Sequence, residues 1–458
     1  MRLPTLAAAL LAAPMAAAQA PEAAPVAGPV GAPEAAPAET RIDVTRPDAP
    51  ELAAYGPLPV GVRTLEVTDE GRVDVLAVDA EAAPPESPPT TDRTLVLEVF
   101  YPAAEGAEGD TAMRALLRDG VTEVTLRGRA MRDAEPAAAG GPFPLVVVSH
   151  GYPGNRFLMA HLAENLASRG YVAVSVDHAD STYDDFGPFG STLVNRPLDQ
   201  LFVLDAVAAM GEGEGFLAGL VDAENAAIMG YSMGGYGALI AGGAGVTPEG
   251  IAFAEERGAP HGLLGVHEAG SESFEGLFDE RLKAVVAFAP WGRQRGFWDA
   301  EGLAGLRVPT LLVTGSRDDV SGYEEGVRRI WEEATGAERA LLTFEGAMHN
   351  AGAPYPAPPE SYEYDEELGF APFEHYADPV WDTARLNDVS QHFVTAWLGL
   401  HLKGDDAMAP YLDLVPAAED GVWSVDEAGE PGDDHSYWTG FPERTAQAMR
   451  FERRAAGE

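Results

Sequence analysis

The chain of 458 residues contains no cysteine and only two lysines, Lys283 and Lys403. The absence of cysteine excludes a disulfide framework, a thiolate metal site and a cysteine nucleophile. Thirty basic residues stand against 73 acidic ones, so the formal net charge at pH 7 is −43. Such a charge repels phosphate backbones and anionic lipid surfaces, which argues strongly against nucleic acid as a partner. A lysine-poor acidic surface is also typical of salt-adapted proteins, although a GC-rich genome would produce the same composition.

Long apolar runs are missing beyond the first twenty residues. Residues 1–20 read MRLPTLAAALLAAPMAAAQA, in which one arginine precedes an Ala/Leu stretch that ends in small residues. This pattern predicts a secretory signal peptide rather than a membrane span. Residues 21–50 are rich in Ala, Pro and Glu, which predicts a disordered leader. We therefore expect an exported protein, periplasmic or extracellular, without stable membrane insertion.

From residue 141 onward, short β-branched and apolar runs alternate with helical patterns. The predicted strands are Pro144–Ser149, Tyr171–Asp177, Ala226–Gly230, Ala284–Ala289, Thr310–Thr314 and Leu341–Phe344. Helices are predicted at Phe157–Arg169 and at Pro197–Met210. This alternation predicts an α/β fold with a mostly parallel central sheet and helices on both faces. Three earlier stretches predict antiparallel edge strands: Arg63–Val67, Val73–Val78 and Leu95–Tyr101.

Around this core we expect one domain, residues 51–403, with additions. Two insertions, residues 243–280 and 354–379, are cap-like, and each could be either a lid or a solvated surface loop. An amphipathic helix near Leu386–Leu400 should pack on the sheet. Residues 404–458 carry large aromatic side chains, among them Trp423, Tyr437, Trp438 and Phe441, so we expect a C-terminal extension that packs on this domain.

The sharpest chemical signal is the sequence GYSMGG at residues 230–235, between a predicted strand and a helical stretch. A G-x-S-x-G turn strains the serine backbone and lifts its hydroxyl above the sheet, and flanking glycines avoid side-chain clashes. Ser232 is therefore the candidate nucleophile. The alternative interpretation is a glycine-rich turn whose serine caps a helix.

A serine nucleophile needs a histidine base that a carboxylate orients. In this architecture the acid and then the histidine follow late strands. Asp318 follows the strand in TLLVTG, and His349 follows the last predicted strand. Asp319 is the rival for the acid, and either aspartate could instead cap a helix. The other nine histidines do not follow late strands.

The tetrahedral intermediate of such a reaction needs two donors aimed at its oxyanion. The backbone N–H of Met233, directly after the serine, is one candidate. The other lies in the loop HGYPGN at residues 150–155, where Tyr152 is favoured because Pro153 has no N–H. An ordinary Gly/Pro turn is the alternative for this loop.

In this order, SHGYPGN, GYSMGG, GSRDD and GAMHN resemble the α/β-hydrolase superfamily over roughly Gly56–Lys403. The long stretch from FPLVVVSHGYPGN to HADST is similar to secreted esterases related to predicted dienelactone hydrolases and platelet-activating-factor acetylhydrolases. This resemblance implies an α/β-hydrolase fold and carboxylic-ester hydrolysis through an acyl-serine. It also implies the triad Ser232, Asp318 and His349, with no metal and no cofactor. Dienelactone hydrolases proper use a cysteine nucleophile, so their substrate is not implied.

A narrower resemblance concerns AFAPWG at residues 287–292, which together with GYSMGG is similar to bacterial cutinases and polyester hydrolases. There a tryptophan after this strand lines the acyl pocket, so Trp291 is a candidate substrate-binding residue, or else a core residue at the sheet edge. Three hypotheses follow: a secreted serine esterase for small or acyl esters, a polyester or lipid hydrolase with the same triad, and a non-catalytic exported binding protein on a hydrolase scaffold. The oligomeric state is left open.

Overall fold

The computed structural model describes residues 39–81, 83 and 86–458. The signal peptide predicted at residues 1–20 and the leader as far as residue 38 lie outside the described residues. The leader prediction is wrong for residues 39–50, where strand β1 (Glu39–Arg41) pairs in parallel with β5 (Glu123–Arg127). The backbone N–H of Arg46 also binds Asp388, at 3.0 Å. The folded part therefore begins before the boundary that the composition indicated.

The remaining strands supply one large sheet and most of a small one. Their bounds are β2 (Val60–Val73), β3 (Thr90–Pro102), β4 (Ala112–Leu116), β6 (Met131–Arg132), β7 (Phe143–Ser149), β8 (Val172–Asp177), β9 (Val221–Tyr231), β10 (Leu282–Phe288), β11 (Thr310–Gly315), β12 (Arg339–Phe344) and β13 (Met449–Arg454). The large sheet has ten strands in the order β13-β12-β11-β10-β9-β7-β8-β3-β2-β6, and β1, β5 and β4 form the small sheet. Strands β7 to β12 are parallel, while β3 runs antiparallel to both β8 and β2, and β13 runs antiparallel to β12.

Helices cover both faces of this sheet. Their bounds are α1 (Ala160–Ser168), α2 (Phe189–Glu212), α3 (Met233–Ala241), α4 (Pro248–Glu255), α5 (Glu272–Glu275), α6 (Ala300–Ala304), α7 (Arg328–Glu333) and α8 (Thr383–Lys403). Buried residues of α1 and α8 share one apolar core, and those of α2 to α7 share the core on the opposite face. The central strands are buried on both faces, which is why their sequences are continuous apolar runs.

Two elements differ from their predictions. Val73–Val78 is not a separate strand, because Val73 ends β2 and Val75–Ala77 form a 3₁₀ turn capped by the side chain of Asp74. Helix α2 begins at Phe189, two turns before the predicted start at Pro197. The chain end adds an edge strand, since β13 pairs with β12, and Trp438 and Phe441 are buried.

The strand order decides where the candidate residues lie. Loops leave the carboxyl ends of β7, β9, β10, β11 and β12, which are neighbours in the sheet and point the same way. These loops carry Tyr152, Ser232, Trp291, Asp318 and His349 respectively. The carboxyl edge of a parallel sheet is where such folds place their ligands.

Candidate active site

Ser232 lies in a strained turn between β9 and α3. Its backbone has φ 53° and ψ −109°, a conformation that costs a non-glycine residue about 1–3 kcal/mol. Its side chain does not cap α3, which removes the helix-cap interpretation. A Cβ atom at Gly234 would lie 2.0 Å from the carbonyl oxygen of Ser149, and one at Gly230 would lie 2.2 Å from the backbone of Gly234. Both flanking positions therefore require glycine.

His349 lies between the serine and a buried aspartate. Its Nε2 is 3.1 Å from Oγ of Ser232, and its Nδ1 is 3.0 Å from each carboxylate oxygen of Asp318. Because an ionised carboxylate only accepts hydrogen bonds, Nδ1 carries the proton and Nε2 is free to accept the serine hydroxyl. The rival acid, Asp319, is exposed to solvent. The structure thus brings together the three residues that chain order singled out.

Asp318 is kept ionised although it is only 6% exposed. Burial on its own would raise the pKa of this carboxyl, but His349 and the backbone N–H groups of Ser321 and Val320 outweigh burial and hold the pKa below its usual value. The two amides donate to Oδ1 at 2.8 and 2.9 Å. The same bonds fix the orientation of the carboxylate toward the imidazole.

The insertion at residues 354–379 braces the histidine loop on both sides. Oδ2 of Asp378 accepts the backbone N–H of Met348 at 2.6 Å. The side-chain amide of Asn350 donates to two carbonyls of the insertion, each at 2.8 Å, and accepts the hydroxyl of Tyr231 at 2.9 Å. The residues before and after His349 are therefore both anchored. This bracing role was not apparent in the sequence, where the insertion looked like a lid or a surface loop.

The loop after β7 approaches the serine closely. A Cβ atom at Gly151 would lie 3.5 Å from Cβ of Ser232, so this backbone borders the reaction centre. Within the described part of the chain, the N–H of Tyr152 has no hydrogen-bond acceptor. Met233 is the first residue of α3, and the first amides of a helix have no partner within it. The predicted oxyanion donors are thus two backbone N–H groups next to Ser232, neither of which is used in the hydrogen bonds of the described residues.

A row of aromatic side chains leads away from the serine. The backbone N–H of Trp291 donates to the carbonyl of Ser232 at 3.2 Å, so the main chain of this half-buried residue lies next to that of the nucleophile. Its ring contacts Phe189, Phe189 contacts Tyr152, and Tyr152 contacts Phe186, with ring centroids 5.2, 4.9 and 4.9 Å apart. We call Trp291, Phe189, Tyr152 and Phe186 the aromatic row. Phe186, at its outer end, is 58% exposed.

A second Ser–His–Asp arrangement lies beneath this site. Oγ of Ser149 is 2.8 Å from Nε2 of His178, whose Nδ1 is 3.0 Å from Asp199. All three side chains are almost fully buried, so substrate cannot reach this serine. Burial also lowers the pKa of His178 to about 3 and keeps the ring neutral. Hydrogen-bond geometry alone therefore does not identify a nucleophile. Ser232 differs from Ser149 in its strained turn and in being 8% rather than 0% exposed.

Across residues 39–81, 83 and 86–458, no group of three or more His, Asp or Glu side chains is arranged to hold a metal ion. Among the helices in this part of the chain, none combines the length and the apolar character needed to cross a bilayer.

Curated cutinases and a protein-family model resemble parts of this chain in sequence. A family model described as PET hydrolase-like matches residues 132–248, a range that contains Tyr152, Ser232 and Met233. Cutinase 2 of Thermobifida cellulosilytica is 26% identical over 207 residues, or 45% of this chain and 60% of the cutinase. Cutinase cut1 of Thermobifida fusca is also 26% identical over 207 residues, which are 49% of its length. The chain therefore spans about half the length of the curated relatives that it matches.

The fold has a solved counterpart over nearly the whole chain. A ferulic acid esterase from Streptomyces cinnamoneus superposes with a TM-score of 0.54 at 21% identity, covering 90% of this chain and 99% of the esterase. The fold prediction is confirmed: the protein has an α/β-hydrolase fold, and in sequence it resembles cutinases and polyester hydrolases. The resemblance to secreted acetylhydrolase-like esterases stays a prediction.

Proposed function

We propose that the protein is a serine carboxylic-ester hydrolase that acts through an acyl-serine intermediate. The observation that carries this proposal is the line of hydrogen bonds from Ser232 through His349 to Asp318, at 3.1 and 3.0 Å, in a strained turn at the carboxyl edge of the sheet. The similarity to cutinases and to a PET hydrolase-like model supports the same class of reaction.

In the proposed acylation step, His349 acts as the general base. Nε2 takes the proton of the Ser232 hydroxyl while Oγ attacks the ester carbonyl carbon, and the carbonyl oxygen becomes an oxyanion. The N–H groups of Tyr152 and Met233 are assigned to this oxyanion. The ester C–O bond then breaks, and the alcohol leaves with the proton from His349. Asp318 stabilises the imidazolium throughout without taking up a proton.

Deacylation repeats the sequence with water. His349 removes a proton from water, the hydroxide attacks the acyl carbon, and the carboxylic acid leaves as Ser232 recovers its proton. No step of this scheme requires a metal or a cofactor. The aromatic row is assigned to the acyl group or to an aromatic acid, with Trp291 as the residue whose backbone is bonded to that of the nucleophile.

Steady-state hydrolysis of p-nitrophenyl acetate, butyrate and octanoate tests the proposal. The protein should hydrolyse at least one of these esters, and Ser232→Ala should lower kcat by at least about 10³-fold with little effect on thermal stability. Ser149→Ala is a matched control, because its serine has the same kind of partners but is buried. Unchanged hydrolysis in Ser232→Ala would overturn the proposal. Failure of the wild type to hydrolyse any ester would favour the binding-protein hypothesis.

A polymer-directed esterase with the same triad is the second candidate. The PET hydrolase-like match and the exposed ring of Phe186 at the end of the aromatic row favour it, because a chain of aromatic esters could lie along such a row. Release of soluble acid from poly(ethylene terephthalate) film would support this candidate. Hydrolysis of soluble esters with no release from film, by the same preparation, would restrict the enzyme to small substrates.

Export to the periplasm or the medium is also a proposal, which rests on the pattern of residues 1–20. Sequencing the N-terminus of the protein recovered outside the cytoplasm should show cleavage between residues 18 and 21. An intact Met1 would contradict it.

A further inference from the structure

Helix α2 carries a fully buried arginine directly behind the loop that holds Tyr152. Arg196 is 1% exposed, and its guanidinium donates to the carbonyl oxygens of His150 and Gly151, the latter at 3.2 Å, and to the hydroxyl of Ser181. Among the described residues, its guanidinium donates to no acidic side chain. Two of its three hydrogen-bond acceptors are thus backbone carbonyls of this loop.

The side chain of His150 also binds the carbonyl of Gly151, from a second direction. Its Nε2 accepts the backbone N–H of His178 at 3.2 Å, so the ring proton is on Nδ1. Nδ1 lies 2.7 Å from the carbonyl oxygen of Gly151 and donates to it. Burial, aided by the nearby charge of Arg196, lowers the pKa of His150 far below its usual value, which keeps this tautomer neutral. The carbonyl of Gly151 therefore receives two donors.

That carbonyl belongs to the peptide unit that carries the N–H of Tyr152. The Gly151–Tyr152 bond is trans, and in a trans peptide the C=O and N–H groups point in opposite directions. Fixing the carbonyl of Gly151 toward Arg196 and His150 turns the N–H of Tyr152 to the opposite side. A peptide held at one end by two donors has little freedom to flip.

One helical turn further along α2, Gln200 binds the segment that carries the second oxyanion donor. Its side-chain amide donates to the carbonyl of Gly234, in the first turn of α3, at 2.9 Å. The first turn of α3 is the segment that carries the N–H of Met233. A Cβ atom at Gly237 would lie 2.7 Å from Gln200 and 2.9 Å from Arg196. Glycine at this position of α3 therefore leaves the space that both side chains occupy.

We propose that Arg196 and Gln200 are positioning residues that aim the two oxyanion donors, Arg196 through the peptide of Tyr152 and Gln200 through the first turn of α3. This inference rests on the proposed esterase function. Neither side chain touches the substrate, and both act on the transition state through the backbone. Their spacing of four residues places them on one face of α2, so a single rigid helix sets both donors.

The test compares Arg196→Lys and Gln200→Met with the wild type in p-nitrophenyl ester hydrolysis, with active sites counted by fluorophosphonate titration. We expect kcat per titrated site to fall about tenfold or more in each variant while KM changes less than about threefold, because a misaimed oxyanion donor weakens only transition-state binding. The inhibition constant of an alkyl trifluoromethyl ketone, which adds to the serine as a tetrahedral adduct, should rise by a similar factor. The pH midpoint of kcat should not move, since the His349–Asp318 pair is untouched.

Two buried side chains elsewhere provide matched controls. Arg339 is also fully buried and donates only to backbone carbonyls, among them that of Trp331 at 2.6 Å. Gln391 is buried in α8 and donates its amide to the carbonyl of His161. Arg339→Lys and Gln391→Met should keep kcat per titrated site within about twofold of wild type.

The outcomes separate this inference from the function it rests on. Wild-type ester hydrolysis with unchanged kcat per titrated site in both α2 variants would overturn the inference and leave the esterase proposal standing. A loss confined to the number of titrated sites or to thermal stability would assign the two residues a structural role and would also overturn it. If Arg196→Lys does not fold, Gln200→Met decides. An inactive, unlabelled wild type would remove the esterase proposal and this inference with it.

Discussion

At the scale of the residue, the neighbours of Asp318 determine the role of its carboxyl group. It accepts two backbone amides and the imidazole N–H of His349 while almost fully buried. Asp318→Asn preserves the size of the side chain but presents an amide donor to Nδ1 and so favours the wrong tautomer of His349. We expect kcat for ester hydrolysis to fall about 10³- to 10⁴-fold with little change in thermal stability.

Asp319→Asn is the control for this variant, since Asp319 is exposed and adjacent in sequence. Its kcat should stay within about twofold of wild type. Equal losses in the two variants would contradict the assignment of the acid.

Glu164, in α1, is a buried acid outside the site. Burial raises its pKa to about 8, further helped by Asp43, although the backbone N–H of Arg129 opposes the shift. A pKa raised from 4.5 on folding stabilises the protein fully below pH 4.5, and this contribution is lost as the pH rises through 8. Glu164→Gln cannot titrate, so the free energy of unfolding of the variant relative to wild type should increase steadily between pH 5 and pH 8.

Chemical denaturation at several pH values measures this difference. Glu66→Gln, at an exposed position, should show no such trend. A Glu164→Gln difference that is constant with pH would contradict a neutral carboxyl at neutral pH.

Single residues of the candidate site were predictable where local geometry demanded them. The turn around Ser232 needs glycine at fixed positions, and the acid and the histidine follow strands that apolar runs reveal, so these positions could be proposed from the sequence. His150 and Arg196 could not. Their partners are mostly backbone groups, which carry no sequence signal, and a histidine after an early strand resembles any buried histidine.

At the scale of elements, α2 shows how one residue misled the prediction. Proline favours the first turn of a helix, and the sequence predicts a helix that begins at Pro197. In the structure, Pro197 lies inside the helix. The carbonyl of Leu193, which loses its helical donor to the proline, accepts the hydroxyl of Tyr236 at 3.2 Å. Tertiary packing therefore supplies the hydrogen bond that the proline removes from the helix.

The insertion at residues 354–379 is an element whose role depends on contacts distant in sequence. Asp378 accepts the amide of Met348 and, in its own turn, the amides of Val380 and Trp381 at 2.8 Å. Asp378→Ala frees the residue before His349. We expect kcat for ester hydrolysis to fall about tenfold, because small misplacements of a catalytic group are costly.

Asp365→Ala is the matched control in the same insertion. Asp365 caps a similar turn, with bonds of 2.8 and 2.7 Å to the amides of Glu367 and Leu368, but does not contact the histidine loop. Its kcat should match wild type. A comparable loss in both variants would show that the insertion as a whole, rather than the Asp378–Met348 bond, supports activity.

At the scale of the whole molecule, the sheet gathers the loops of five adjacent strands at one edge. The order of apolar runs predicted the parallel core, because strands buried on both faces are apolar throughout. The antiparallel edge strand β13, the small sheet and the start of the folded region near Glu39 were not predicted. These depend on pairings between segments far apart in the chain, such as β12 with β13, that composition does not encode.

The charge of −43 is also a property of the whole molecule. Self-repulsion among exposed carboxylates destabilises the fold, and salt screens it. We expect the Tm to rise with NaCl, mostly between about 0.01 and 0.3 M, where the Debye length shrinks from about 30 Å to about 6 Å. Differential scanning calorimetry across this range measures the effect. A falling Tm would show that arginine–carboxylate pairs outweigh the repulsion.

The central claim is that Ser232 is a nucleophile activated by His349. Mass spectrometry of the protein after reaction with a fluorophosphonate tests it most directly, because the adduct marks the reacting atom. We predict one adduct, on the peptide containing Ser232, which is lost in His349→Ala although that variant remains folded. An adduct on another serine, or none on folded wild-type protein, would contradict the account.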